Sequence, residues 1–293
     1  MKLRKPEDFT HFNATVRGIN THYVREGSGA PVLLLHGWPG FWWEWHKVIG
    51  PLAENYDVIV PDLRGYGDSE KPDLNDISQY SLEQGIDDIN ALMEHLGLED
   101  AFIIGHDWSS LLIHKFVRKY PHRVRKVINF DPITPNFGPF YLGFPHLSES
   151  WYSQFQQLDM AVELVSSSRE ACRIYFSHFL NHWSYSKKLL TDEELEIYVD
   201  TFMKPGNIHG GFNWYRANLA VTSNPWSLID KHISNAPMTF IWGMADTVVP
   251  SSCSPDIPQY YNNYTMEYVQ DGGHFMMVER PDLVIARARD VFI

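Results

Sequence analysis

Gly105-His106-Asp107-Trp108-Ser109 follows directly on the apolar run Ala101-Phe102-Ile103-Ile104, so a carboxylate stands where a buried strand gives way to a tight turn. Small residues at Gly105 and Ser109 leave room for a sharp bend that projects the central side chain. A carboxyl group of reference pKa about 3.9 is anionic at neutral pH and needs no base before it attacks. Asp107 can therefore displace a leaving group from carbon directly, giving an alkyl ester that water must then cleave. A base is required for that second step only. Electrophiles that suit this chemistry are strained epoxides and alkyl halides. Moving the nucleophile to Ser109 or Ser110 would crowd the turn with Trp or His and end the strand too late. The plain structural alternative is a strand-end Asp beside a helix N-terminus, where a carboxylate is electrostatically favoured anyway.

The base expected for the second step is His274, in Gly272-Gly273-His274 after the probable strand Thr265 to Val269. Any one of 14 histidines is more often structural than catalytic, so position has to decide. Asp246, just past the strand Met238 to Trp242, is the preferred acid to fix the tautomer of His274 and steady its imidazolium. Asp131 also follows a strand and is the rival acid. Leu35-His36-Gly37-Trp38-Pro39-Gly40 is a Gly-rich loop that can point a backbone N–H at the nucleophile's carboxyl group. The N–H groups of Trp38 and Trp108 are the expected oxyanion donors. Trp38, Pro39 and Trp108 are also the candidate substrate contacts, and Trp38-Pro39 is a candidate cis peptide. His36 and His106 are read as orienting their loops. Phe41 to Trp45 forms an aromatic helix start, mostly core filler.

Positioning these groups falls to alternating strands and helices. Continuous apolar runs at Val32–Leu35, Val58–Val60, Phe102–Ile104, Val127–Phe130 and Met238–Trp242 have the character of strands buried on both faces of a mainly parallel sheet. Ala14 to Arg25 reads as two strands joined around Gly18-Ile19-Asn20. Ser81-Leu82-Glu83-Gln84 has capping-box spacing and opens an amphipathic helix that ends at Gly97. The pattern is that of an α/β sheet. From Gly138 to about Asn218 the alternation stops in an aromatic-rich helical region, with Gln154–Val165 and Glu193–Phe202 as helical runs. The expected division is a core of 1–137 and 219–293 with a helical cap, or lid, of 138–218. Asp62-Leu63-Arg64-Gly65-Tyr66-Gly67-Asp68-Ser69 lacks the lysine and spacing of a phosphate loop and reads as a structural turn.

Composition narrows the function classes. A chain of 293 residues, 44% hydrophobic and 20% charged, can bury one large core. A formal net charge of -12 opposes binding to nucleic acid or anionic membrane surfaces. No run is long enough to cross a bilayer, and the basic N-terminus has no apolar segment behind it, so a cytoplasmic location is expected. Cys172 and Cys253 are far apart and in no metal or redox spacing, which fits free buried thiols.

Taken together, these residues resemble the epoxide hydrolases of the α/β-hydrolase fold, most closely the small soluble bacterial enzymes that open epichlorohydrin and similar epoxides. The resemblance covers essentially the whole chain. Its most specific pieces are Glu149-Ser150-Trp151-Tyr152-Ser153-Gln154-Phe155 and Gly210-Gly211-Phe212-Asn213-Trp214-Tyr215-Arg216-Ala217-Asn218. It implies a mostly parallel eight-stranded sheet flanked by helices with an inserted α-helical cap. It also implies that Tyr152 and Tyr215 hold the epoxide oxygen, which becomes an alkoxide on ring opening. No metal or organic cofactor is required, and the expected partner is a small-molecule epoxide. Ser109 and Ser110 stand where many relatives carry Gly or Ala. The nearest rival is a haloalkane dehalogenase, which uses the same kind of triad and a tryptophan after the nucleophile; paired lid phenols argue against it. A carboxylate-binding arginine of the fluoroacetate type is absent, since that position is Trp108. A silent ligand-binding member of the fold would be expected to lose a triad residue, and none is lost.

Overall fold

A computed structural model describes residues 4–133, 146–219 and 232–293. Eight strands form one sheet in the order β1-β2-β4-β3-β5-β6-β7-β8. They are β1 His11–Val16, β2 Ile19–Gly27, β3 Ala30–Leu35, β4 Tyr56–Pro61, β5 Ala101–His106, β6 Val124–Phe130, β7 Met238–Gly243 and β8 Tyr264–Val269. β2 runs antiparallel to β1 and β4, and every other pair is parallel. Each apolar run singled out above lies inside a strand. Val32 to Leu35 and the whole of β5 are buried, which requires cover on both faces, at roughly 1.5–3 kcal/mol per large side chain removed from water. The hairpin turn falls at Arg17-Gly18, both at positive φ, rather than at Gly18 to Asn20; Ile19 and Asn20 already pair with Val16 and Thr15.

The core helices are α1 His46–Ala53, α2 Leu82–His95, α3 Trp108–Lys119, and at the C-terminal end α9 Met276–Glu279 and α10 Pro281–Val291. The Ser81 hydroxyl caps α2 by accepting the Gln84 N–H. The reciprocal half of the expected capping box is not made, because the Gln84 side-chain oxygen accepts from Arg17 instead. Gly97, at φ 68°, ends the segment.

Between β6 and β7, parallel neighbours in the sheet, the described chain holds five helices: α4 Leu147–Phe155, α5 Asp159–Ser166, α6 Arg169–His182, α7 Asp192–Phe202 and α8 Asn207–Asn218. No strand is found among the described residues of that stretch. The single run expected over Gln154–Val165 is broken: α4 ends at Phe155 and α5 starts at Asp159. Thr191 and Glu194 form a full capping box on α7. The expected 137/138 boundary and residues 138–145 of the expected cap lie outside the described residues. Cys172 is a buried free thiol, pushed up to about 12 by burial; the Cys253 side chain lies outside what is described. No helix among the described residues is long and apolar enough to cross a membrane.

Candidate active site

β5 ends at His106 and α3 starts at Trp108, so Asp107 alone makes the turn between them. It does so at φ 53°, ψ −117°, a strained conformation for a residue with a Cβ. Ser109 and Ser110 hold this bend. Ser109 Oγ bonds the Leu35 and His106 carbonyls and the His106 N–H. Ser110 Oγ donates to the Asp107 carbonyl and accepts from Ile133 N–H. A Cβ at Gly105 would strike Ile113, and one at Gly37 would strike the Asp107 side chain. Gly37 is therefore required by close approach rather than by φ, while at Gly105 Ile113 would have to shift.

Asp107 is buried, and its Oδ1 accepts the Trp38 N–H at 2.7 Å. Burial raises its carboxyl above the usual range, while His274, His106 and the N–H groups of Trp38 and Trp108 oppose that rise. His274 Nδ1 lies 2.7 Å from Asp246 Oδ2, and its Nε2 lies 3.7 Å from Asp107 Oδ2. Asp246 Oδ1 is fixed by the N–H groups of Val248 and Val249. Burial alone would lower the His274 imidazole; Asp246 and Asp107 outweigh it and hold the group above its ordinary 6.5. Nucleophile, acid and histidine thus meet, each at the C-terminal end of a parallel strand. Asp131 makes no hydrogen bond to His274; its Oδ1 accepts from Gly243 N–H.

The loop after β3 carries the cis Trp38-Pro39 bond. His36 orients it, donating from Nδ1 to the Gly37 carbonyl and accepting the Leu63 N–H at Nε2. His106 pairs with Glu44 at 2.7 Å, a buried contact that sequence reasoning missed because Glu44 sits inside an aromatic run that reads as filler. The turn after β4 is structural: Asp62 accepts from His22, from Trp42 N–H and from Asp68 N–H.

Tyr152 on α4 and Tyr215 on α8 come together over the elbow, ring centroids 5.6 Å apart. Tyr152 stacks on Trp38 at 5.0 Å, and Tyr215 meets Trp108 edge-on at 5.0 Å. Phe179 and Trp183, at the end of α6, pack against Tyr152. Trp183 also accepts the His274 N–H through its carbonyl, a contact with no signal in the sequence beyond an aromatic-rich region. His146 and Glu149 grip the turn after Asp246, through the Val248 carbonyl and the Thr247 hydroxyl. Ring nitrogens of His106 and His274 and an Asp131 oxygen converge within 4.8 Å. Zinc accepts such donors, but Nδ1 of His274 is taken by Asp246, so a cation here would occupy the nitrogen needed as base.

Comparisons with known proteins bear on the fold and the family. A family model for the alpha/beta hydrolase fold matches residues 30–281, and one for the epoxide hydrolase N terminus matches residues 3–45. A soluble epoxide hydrolase of Corynebacterium sp. (strain C12) is 32% identical, over 97% of this chain and 98% of its own. Epoxide hydrolase 4 of Mus musculus is 30% identical over 96% of this chain and 79% of its own. The solved structure of the epoxide hydrolase CorEH without ligand superposes with a TM-score of 0.85 at 30% identity, covering 97% of this chain and 98% of that one. The fold and its elbow are those of an α/β hydrolase. Within that class, the chain belongs to the epoxide hydrolase family.

Proposed function

We propose that the protein hydrolyses epoxides to vicinal diols in two steps through an ester on Asp107. With Oδ1 held by Trp38 N–H, Oδ2 attacks a ring carbon. The carbon–oxygen bond breaks, and the oxygen takes a proton from the Tyr152 or Tyr215 hydroxyl, giving a hydroxyalkyl ester. Water then attacks the ester carbonyl while His274 Nε2 takes its proton and Asp246 steadies the imidazolium. The N–H groups of Trp38 and Trp108 meet the resulting oxyanion. Collapse releases the diol, whose departing oxygen receives the proton from His274; Asp107, left as an acid that carries one oxygen of water, returns its proton to the tyrosinate and is again a carboxylate. Residues 138–218 act as the cap that carries the phenols. The scheme needs no cofactor or metal, and its setting is taken to be the cytoplasm.

The observation that carries this reading is the 3.7 Å separation of His274 Nε2 from Asp107 Oδ2 beneath two tyrosine rings 5.6 Å apart. A dehalogenase has use for the first feature and none for the second. Parallel incubation with a small terminal epoxide and a 1-haloalkane tests the choice. Diol from the epoxide is expected; halide release without diol would reverse the assignment.

A further inference from the structure

The ends of β5 and β6 and the loop after β8 deliver His106, Asp131 and His274 to one point, where a nitrogen from each ring and a carboxylate oxygen lie within 4.8 Å of one another. All three residues are fully buried. Among the described residues His106 Nε2, Asp131 Oδ2 and His274 Nε2 have no hydrogen-bond partner, so these atoms converge without bonding each other. Their other polar atoms are engaged. His106 Nδ1 meets Glu44 at 2.7 Å, His274 Nδ1 meets Asp246 at 2.7 Å, and Asp131 Oδ1 accepts Gly243 N–H at 2.8 Å. With each Nδ1–H directed at a carboxylate, a neutral ring presents its lone pair at Nε2. Two imidazole lone pairs and one carboxylate oxygen make a metal-donor set, and a carboxylate behind each ring is the outer partner that metal-bound histidines use.

We propose that this cluster binds a divalent transition-metal cation of the zinc class, and that the bound cation reversibly inhibits hydrolysis of the ester. Three atoms within 4.8 Å of one another share a point no more than about 2.8 Å from each; zinc contacts to nitrogen and oxygen are about 2.0–2.2 Å, so inward movement of about 0.8 Å or less closes the site. Charge favours occupation. Asp107, Asp246 and Glu279 act on Asp131, and Glu44 and Asp246 back the two rings. In a buried setting such a surplus of carboxylates attracts a cation strongly. Magnesium and calcium favour all-oxygen ligands, so two imidazoles select against them. The inhibitory effect follows from one atom. His274 Nε2 lies 3.7 Å from Asp107 Oδ2 and is the atom to which the proposed mechanism gives the proton of water; a cation on its lone pair leaves the ester without a base. The inhibitory half of the inference rests on that reading of His274, and the binding half does not.

Cobalt(II), a spectroscopic stand-in for zinc, tests the site on the full chain without substrate. Titration at neutral pH should saturate at one tightly bound equivalent with a visible d–d absorption band, and Asp131→Asn should weaken that site by about 10-fold or more. An unchanged affinity and band in the variant, or no saturable binding to the wild type, would overturn the proposal. If the variant does not fold, wild-type crystals soaked in zinc locate the ion by anomalous scattering. A peak bonded to His106, Asp131 and His274 is expected; peaks only at other side chains would overturn the site. In single turnovers, zinc-loaded protein should hydrolyse the ester about 10²-fold more slowly, the scale of losing a general base, and a chelator should restore the rate. Unchanged hydrolysis with the ion bound would overturn the inhibitory half. Absence of ester with and without zinc would instead count against the epoxide reading and leave the binding result standing.

Discussion

The sheet end and the cap face each other across Asp107, and they are held by different forces. At the sheet end each group of the proposed triad is fixed by hydrogen bonds at the end of a strand: Asp107 by Trp38 N–H, His274 by Asp246, Asp246 by Val248 and Val249. In the cap, Tyr152 and Tyr215 are fixed by aromatic packing on Trp38, Trp108, Phe179 and Trp183. Hydrogen-bonded geometry is directional, and a lost partner leaves a buried charge exposed to a low dielectric. Ring packing tolerates substitution as long as volume is kept. The two regions should therefore fail differently: the sheet end through the ester and its hydrolysis, the cap through ring opening alone.

The largest expected effect is at the nucleophile. Asp107→Ala should lower turnover by a factor on the order of 10⁴–10⁶, the scale of losing a covalent nucleophile, measured as epoxide consumption. Residual turnover near wild type would remove Asp107 from the mechanism. Tyr152→Phe and Tyr215→Phe keep the packing and remove one donor each. Each should slow ester formation about 10²-fold in stopped-flow single turnovers, the scale of one oxyanion donor, while the rate of ester hydrolysis stays near wild type. Equal slowing of both steps would erase the division between cap and sheet end.

A subtler separation comes from pH. His274 must be neutral for the second step, and its group is held above 6.5, so hydrolysis of the ester should fail as pH drops through that raised value. Asp107 needs only to be ionised, and although raised from 3.8 it starts from a far lower value. In mildly acidic buffer the ester should form and persist, which quenched-flow mass measurement would detect; loss of both steps at one pH would count against separate roles. The smallest effect on chemistry is expected at Asp62, whose hydrogen bonds run to His22, Trp42 and Asp68 and to none of the reacting groups. Its carboxyl is lowered to about 2, with burial opposed by the His22 hydrogen bond and charge. Its stabilising contribution is therefore present above the unfolded value near 3.9 and lost as pH falls toward 2. Asp62→Ala should cost about 3 kcal/mol by denaturant unfolding, as for a broken buried pair, and leave the ratio of the two single-turnover rates unchanged.

The same contrast explains what was legible in the sequence. Strands buried on both faces announce themselves as continuous apolar runs, and the residue after each run is placed by the strand itself. Asp107, Asp246, His274 and the Trp38 loop were found in that way. Asp131 and Asp246 follow strands equally well, however, and only the direction of the His274 ring separates them. Glu44 and Trp183 reach the site from an aromatic run and from the end of α6, through contacts spanning 62 residues in one case. No local spacing encodes such a contact. The tyrosines were legible only through the resemblance of their surroundings, since packing leaves no periodic mark that distinguishes a pocket ring from a core ring. The break between α4 and α5 was missed because Gln156 to Leu158 contains neither Gly nor Pro.

The central claim is that Asp107 becomes esterified and that His274 is needed only to release the ester. Incubating His274→Gln with a terminal epoxide and taking the mass of the denatured, digested protein tests it most directly. The account predicts a stoichiometric increase equal to one epoxide, mapped to the peptide carrying Asp107. A folded variant that carries no adduct, or carries it on another residue, would contradict it.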